Sequence, residues 1–273
     1  MTRTLRHHWP EYLMEASLLA LFMLSACTFS VLIFHPDSAF APLFGDEVSR
    51  RACMGVAMGL TAIALIYSPW GKQSGAHLNP AVTLAFLRMR KIDRVDAGYY
   101  ALSQVVGAVT GVLLARLLIG SRLSEIPVRY AVTLPGIWGS LPAFFAELAI
   151  AFAMMLTVLL ANNHPSLAPN TGLFAGLLIA LYITFESPIS GMSMNPARTL
   201  GSAIVAQEWR AVWIYLVAPT AGMQLAVSAY LHVSGRNHVG CAKLHHRNAK
   251  RCIFCEYQHA QRNKDASRSH PSF

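Results

Sequence analysis

The amino-acid sequence predicts an all-α membrane protein in which six transmembrane helices and two re-entrant half-helices form an inverted repeat. Three observations lead there. Hydrophobic residues make up 54% of the 273 and charged residues only 13%, against roughly 25% charged in an ordinary soluble domain. The apolar residues cluster into windows of about 18 to 22, the length a helix needs to cross a hydrocarbon core about 30 Å thick. A Ser-Gly-x-x-x-Asn-Pro-Ala-x-Thr-Leu segment occurs twice, at Ser74–Leu84 and Ser190–Leu200, with a constant offset of 116 residues.

Taken in chain order, residues 1–11 form an N-terminal segment and the first span covers 12–34. Basic residues followed by an apolar run, with Leu24-Ser25-Ala26-Cys27 inside it, also resemble a secretory signal. Glu11 and Glu15 oppose that reading, as does the continuation of the run through Phe34, since such signals are free of acid in this region. Further spans are predicted at 52–68, 97–119, 140–161, 171–187 and 210–233. Residues 80–87 and 196–206 each open with Pro at a first helical position but are too short to cross. They read as re-entrant half-helices. The membrane domain is thus 12–233, in halves of about 12–119 and 140–233, and a basic tail follows at 234–273.

Charge sets the orientation. The net charge of +9 could suggest nucleic acid, but eight of the 22 Lys and Arg lie in the tail, between Arg236 and Arg268. With the N-terminus inside, these eight join Arg3, Arg6, Lys72, Arg88, Arg90, Lys91 and Arg94. Arg50, Arg51, Arg116, Arg122, Arg129, Arg198 and Arg210 fall outside. Fifteen against seven predicts a multi-pass protein of the plasma membrane with both termini cytoplasmic, and no nucleic-acid partner.

The repeat extends beyond the motif. Pro10 and Glu15 recur as Pro142 and Glu147, Gly55 and Gly59 as Gly172 and Gly176, and Tyr100 and Gly107 as Tyr215 and Gly222. Each half carries three spans, an odd number, so the second half enters the membrane from the opposite face. The half-helices opened by Asn79-Pro80-Ala81 and Asn195-Pro196-Ala197 therefore point their N-termini at one another near the mid-plane. Non-helical backbone at 74–78 and 190–194 must be buried in protein or line a wet cavity. Its carbonyls would form acceptor ladders, and the amides of Asn79 and Asn195 would stand free as donors toward the lumen. A water accepting from both amides could not also accept from the next water, and the two helix dipoles oppose cations. Neutral solutes would pass while protons and ions would not.

These motifs, SGAHLNPAVT in the first half and SMNPAR in the second, resemble the aquaporin, or major intrinsic protein, family over residues 10 to about 233. The resemblance implies a homotetramer with a pore in each subunit, and an outer constriction containing Arg198. It also implies that Glu15 and Glu147 accept hydrogen bonds from the motif loops. His77, a lone His beside a pore loop, reads as part of the carbonyl-bearing scaffold, against a metal ligand or a pH switch. Counting from the motifs, the rest of the filter is Ile183, Met192 and either Gly59 or Met58. Water-specific members carry a His and an aromatic here, so a wider, more apolar filter is expected. Glycerol-conducting relatives usually place Asp after the second motif, where this chain has Thr199. Water with small uncharged solutes such as metalloid acids is the expected cargo.

The tail carries Cys241-x3-His245 and Cys252-x2-Cys255, a spacing suited to tetrahedral zinc, with His246 and His259 as spare ligands. The competing reading is a disordered basic segment held at anionic lipid, apart from the membrane domain.

The expected function is a passive channel for water and small uncharged solutes that excludes protons and ions. It is not an enzyme and uses no cofactor for transport. The alternatives are a facilitator mainly for glycerol or metalloid acids, a coupled transporter relaying protons through Glu15 and Glu147, and a membrane scaffold or sensor acting through the Cys/His tail. The intramembrane carboxylates recur in repeat register, which favours a structural role.

Overall fold

The computed structural model describes residues 2–235 and 239–269, with side chains from residues 4 to 235 and 239 to 261; Arg236 lies outside them. Among the described residues, six helices are long and apolar enough to cross a membrane, and they arrange as two topologically matched halves. The first half runs α1 (Thr2–Phe34), α2 (Glu47–Tyr67), the short α3 (Pro69–Ser74), the re-entrant α4 (Pro80–Arg88) and α5 (Arg94–Ile119). The second runs α6 (Ser140–Asn162), α7 (Thr171–Phe185), the short α8 (Ser187–Ser190), the re-entrant α9 (Pro196–Ala206) and α10 (Val212–Ser234). A final helix, α11 (Ile253–Ser269), follows in the tail.

Several helices begin where the sequence satisfies free backbone N–H groups. Asp46 and Asp93 cap α2 and α5 by accepting from Ser49 N and Val95 N, and Pro80 and Pro196 occupy first positions where an N–H would be orphaned anyway. The residues ahead of the first span are continuous with it, because α1 starts at Thr2 and carries Pro10 inside.

Packing follows the repeat. Within each half the first and third spans pair, α1 on α5 and α6 on α10. Across the halves α2 lies on α7, and each re-entrant helix rests on the third span of the other half, α4 on α10 and α9 on α5. Small residues permit these approaches. A Cβ on Gly59 would come within 2.5 Å of Gly176 O in α7, and one on Gly107 would collide with the Ala16 backbone of α1. Gly59 is therefore held against α7 by close helix packing.

The tail is not a segment apart. Ala242, Lys243, Leu244, Ile253 and Phe254 are buried, and the four apolar ones join the largest apolar cluster, which also holds residues of α4, α6 and α10.

Candidate pore site

The two motif loops are built alike. Gly75 and Gly191 terminate the short helices with φ of 101° and 82°. Beyond them Ala76, Leu78, Met192 and Met194 all take left-handed φ, between 51° and 54°. A non-glycine residue there costs roughly 1–2 kcal/mol, so something must over-determine the loop. That something is a buried carboxylate. Glu15 accepts from Ser74 Oγ (2.8 Å), His77 N (3.1 Å), Leu78 N (2.7 Å) and Gln104 Nε2 (2.8 Å). Glu147 accepts from Ser190 Oγ (2.9 Å), Ser193 N (2.6 Å) and Met194 N (2.7 Å). Both carboxylates are fully buried, and both turn the loop N–H groups away from the lumen.

The second element is aromatic. Tyr100 donates to Ser74 O (2.6 Å) and Tyr215 to Ser190 O (2.5 Å). In the sequence these tyrosines stand out only as repeat partners. Their shared position beside a motif loop was the available signal for a role. At the next matched pair the halves diverge: His77 Nδ1 meets Thr83 Oγ1 at 3.0 Å, whereas Ser193 Oγ meets Thr199 Oγ1 at 2.6 Å. The imidazole has a second nitrogen to use, and its Nε2 lies 2.9 Å from Ala242 O of the tail.

At the meeting point each Asn does two jobs. Asn79 Oδ1 accepts from Ala81 N (2.9 Å), capping α4, and Asn195 Oδ1 accepts from Ala197 N (3.0 Å) and Arg198 N (3.3 Å), capping α9. Asn79 Nδ2 donates to Met194 O and Asn195 Nδ2 to Leu78 O, both at 2.7 Å. The amides are thus not free, as the sequence suggested. One N–H of each ties the opposite loop, and one is left for the lumen. Pro80, Ala81, Pro196 and Ala197 are buried in the first turns behind them.

A cavity of about 490 Å³ runs past both Asn residues. Met58, Ile183, Met192 and Arg198 all line it, which places Met58, and not Gly59, in the set with the other three. Arg198 Nη1 donates to Thr133 Oγ1, a partner the sequence did not disclose. Arg51 and Glu47 lie along the same cavity, and Ala76, His77 and Leu244 line it too.

In the tail, Cys241, His246, Cys252 and Cys255 place one ligand atom each within 4.8 Å of the others. His245, the expected ligand, is not among them. Its ring packs edge-on against Tyr67, with centroids 5.1 Å apart, and the neighbouring His246 reaches the cysteines instead. The Cys252 thiol is pushed down by the hydrogen bond it receives from Cys241, whose own thiol is correspondingly pushed up.

The fold and site define a six-span membrane bundle with a polar-centred cavity between two opposed half-helices. Residues 4–230 match the family model described as Major intrinsic protein, and the chain belongs to that family. Among curated relatives it is similar to Aquaporin NIP1-4 of Oryza sativa subsp. japonica, 35% identical over 65% of this chain and 63% of the relative. It is also similar to Aquaporin NIP1-1 of Arabidopsis thaliana, 34% identical over 65% of this chain and 60% of that protein. The chain therefore spans somewhat under two thirds of these relatives' length. Among solved structures it resembles the aquaglyceroporin from Plasmodium falciparum, with a TM-score of 0.69, 23% identity, and coverage of 83% of this chain and 96% of the other. That likeness speaks to the fold.

Proposed function

We propose that the protein is a passive channel, not an enzyme, for water and small uncharged solutes, with protons and ions excluded at the centre. The observation that carries this reading is the crossed pair of Asn79 and Asn195 amides at two converging helix N-termini on one cavity. One fixed N–H per amide leaves one donor each for a passing water, which then accepts twice and cannot relay a proton. Both positive helix ends oppose a cation at the same place.

Selectivity is assigned to Met58, Ile183, Met192 and Arg198. Three apolar side chains and one guanidinium make a constriction with a single strong donor, suited to neutral polyhydroxy solutes as well as water. Glycerol and metalloid acids are solutes of that kind. Coupled transport is disfavoured by Glu15 and Glu147, whose oxygens are committed to loop donors.

Conduction in this reading needs no cofactor, and the tail's Cys/His cluster is a zinc-class site separate from the constriction. The assembly is a homotetramer in the plasma membrane, with both termini cytoplasmic. Arg251 Nη1 donates to His7 O, which supports a shared face for the N-terminus and the tail. Outward residues such as Leu117, Leu118 and Leu141 are strongly exposed and apolar, as lipid or subunit contact requires.

Stopped-flow light scattering on proteoliposomes under water, glycerol and urea gradients tests the reading. Fast protein-dependent water exchange with measurable solute flux is expected. Permeability equal to that of empty vesicles for all three would refute it.

A further inference from the structure

The tail reaches one mouth of the cavity and is tied down there from several sides. Leu244 N donates to Gly75 O (3.1 Å), Asn248 Nδ2 to Lys72 O (3.3 Å), Asn162 Nδ2 to Cys241 O (3.1 Å) and Arg251 Nη1 to His7 O (2.7 Å). The Phe254 ring stacks on His77 with centroids 5.3 Å apart and planes 8° from parallel. Leu244 lines the cavity itself. The segment therefore covers the mouth on the Ala76 and His77 side, held there by these hydrogen bonds and by the buried Leu244, Ile253 and Phe254.

Its apolar side chains pack against the bundle, so a second device is needed to fold the segment back on itself. What folds it back is the Cys/His cluster. Cys241 Sγ is 3.4 Å from Cys252 Sγ and 3.8 Å from Cys255 Sγ, and His246 Nε2 is 3.2 Å from Cys255 Sγ. A tetrahedral ion with Zn–S bonds of about 2.3 Å and Zn–N of about 2.0–2.1 Å sets its ligand atoms about 3.5–3.8 Å apart. These three separations are already close to that spacing, and all four atoms lie within 4.8 Å of one another. The cysteines are free thiols, so the ligand set is three thiolates and an imidazole, a soft set that favours zinc over hard cations. Three thiolates with Zn²⁺ leave one net negative charge. The buried Lys243, whose Nζ donates to Arg251 O (2.6 Å), lies on the same loop and offsets it.

We infer that Cys241, His246, Cys252 and Cys255 bind a zinc ion whose occupancy clamps residues 239–256 over one mouth of the pore, so that metal release opens it. The clamp acts through the backbone: the ion joins the irregular segment bearing Ala242 and Leu244 to the start of α11 bearing Phe254, and these three residues contact His77 or the cavity. This inference rests on the channel reading.

The experiment uses the full chain, purified under reducing conditions with an affinity tag that binds no metal. Elemental analysis is expected to find about one zinc per subunit in wild type and little in Cys252→Ser/Cys255→Ser. In proteoliposomes, a membrane-permeable zinc chelator is expected to raise wild-type water permeability by about threefold or more, as for a gate shifting from minor to major open population. Cys252→Ser/Cys255→Ser is expected to be fast from the start and indifferent to the chelator. Phe254→Ala keeps the ligands, so it is expected to retain zinc yet conduct faster. Absence of zinc from wild type, or a disulfide between Cys241 and Cys252 in its place, overturns the site. Zinc with unchanged flux on chelation and in Phe254→Ala overturns the clamp and leaves the channel reading intact. No flux in any variant overturns both.

Discussion

Asn79 and Asn195 hold each other's loops: the amide of each donates, at 2.7 Å, to the carbonyl of the residue just before the other. The two halves of the repeat are thereby joined at the centre by a pair of crossed hydrogen bonds related by the repeat symmetry. The same side chains cap the half-helices on which the two motifs sit. Position, dipole alignment and lumen chemistry are consequently coupled in two residues.

That coupling predicts a non-additive result. Asn79→Asp and Asn195→Asp each replace a donor by an acceptor facing a carbonyl, and a buried bond left unmade costs about 1–3 kcal/mol. Each single variant is expected to lose thermal stability in detergent and most of its water flux. The double variant is expected to lose less than the sum of the singles, because the first change already uncouples the loops. Thermal unfolding and stopped-flow permeability of the three variants check this.

The loop carboxylates give a second test. Glu15→Gln puts an NH₂ group against donors that need an acceptor, and hydrogen bonds to charged groups are worth about 1.5–3 kcal/mol each. Glu15→Gln and Glu147→Gln are therefore expected to lower the yield of monodisperse protein on size exclusion, with left-handed Ala76, Leu78, Met192 and Met194 no longer held. Well-folded variants that lose only a pH dependence of flux would point to proton relays instead.

Neighbouring positions on α2 separate packing from selectivity. Gly59→Ala is expected to destabilise the protein, because its new methyl meets Gly176 O, with little change in solute ratios in whatever protein folds. Met58→Trp is expected to fold and to depress glycerol and urea permeability relative to water, since residue 58 lines the cavity. Permeability ratios and unfolding temperatures for both variants distinguish the roles.

Ile183→His extends that test to α7. A β-branched apolar wall replaced by an imidazole that reaches further into the lumen narrows the constriction and adds a donor that water satisfies more easily than a larger solute, which must shed hydration to pass. The ratio of glycerol or urea permeability to water permeability is expected to fall. A wild type that already excludes both solutes would contradict the wide-filter reading.

Much of this was legible in the sequence because polar residues inside apolar spans are costly and stand out. Asn79, Asn195, Glu15 and Glu147 were found that way, and repetition placed them in pairs. Met58 and Gly59 were harder to separate. The α2 glycines repeat at an offset of 117 while the motifs repeat at 116, and a one-residue gap turns a helical position by about 100°. His245 and His246 are adjacent in an irregular stretch with no period to say which faces the cysteines. Thr133 sits in a long connection and is found only by folding it back onto Arg198. The tail's burial was hidden by its charge, because Lys243 is satisfied by carbonyls of its own loop, a pairing that composition does not reveal.

The most direct test is simultaneous measurement of water and proton movement. Proteoliposomes loaded with a pH-sensitive dye, with the membrane potential clamped by valinomycin and potassium, are given an osmotic step and then a pH step. The crossed amides and converging helix dipoles predict rapid protein-dependent water flux with proton flux no faster than in empty vesicles. A protein-dependent proton current that rises with water permeability would contradict the assignment of Asn79 and Asn195 as the barrier.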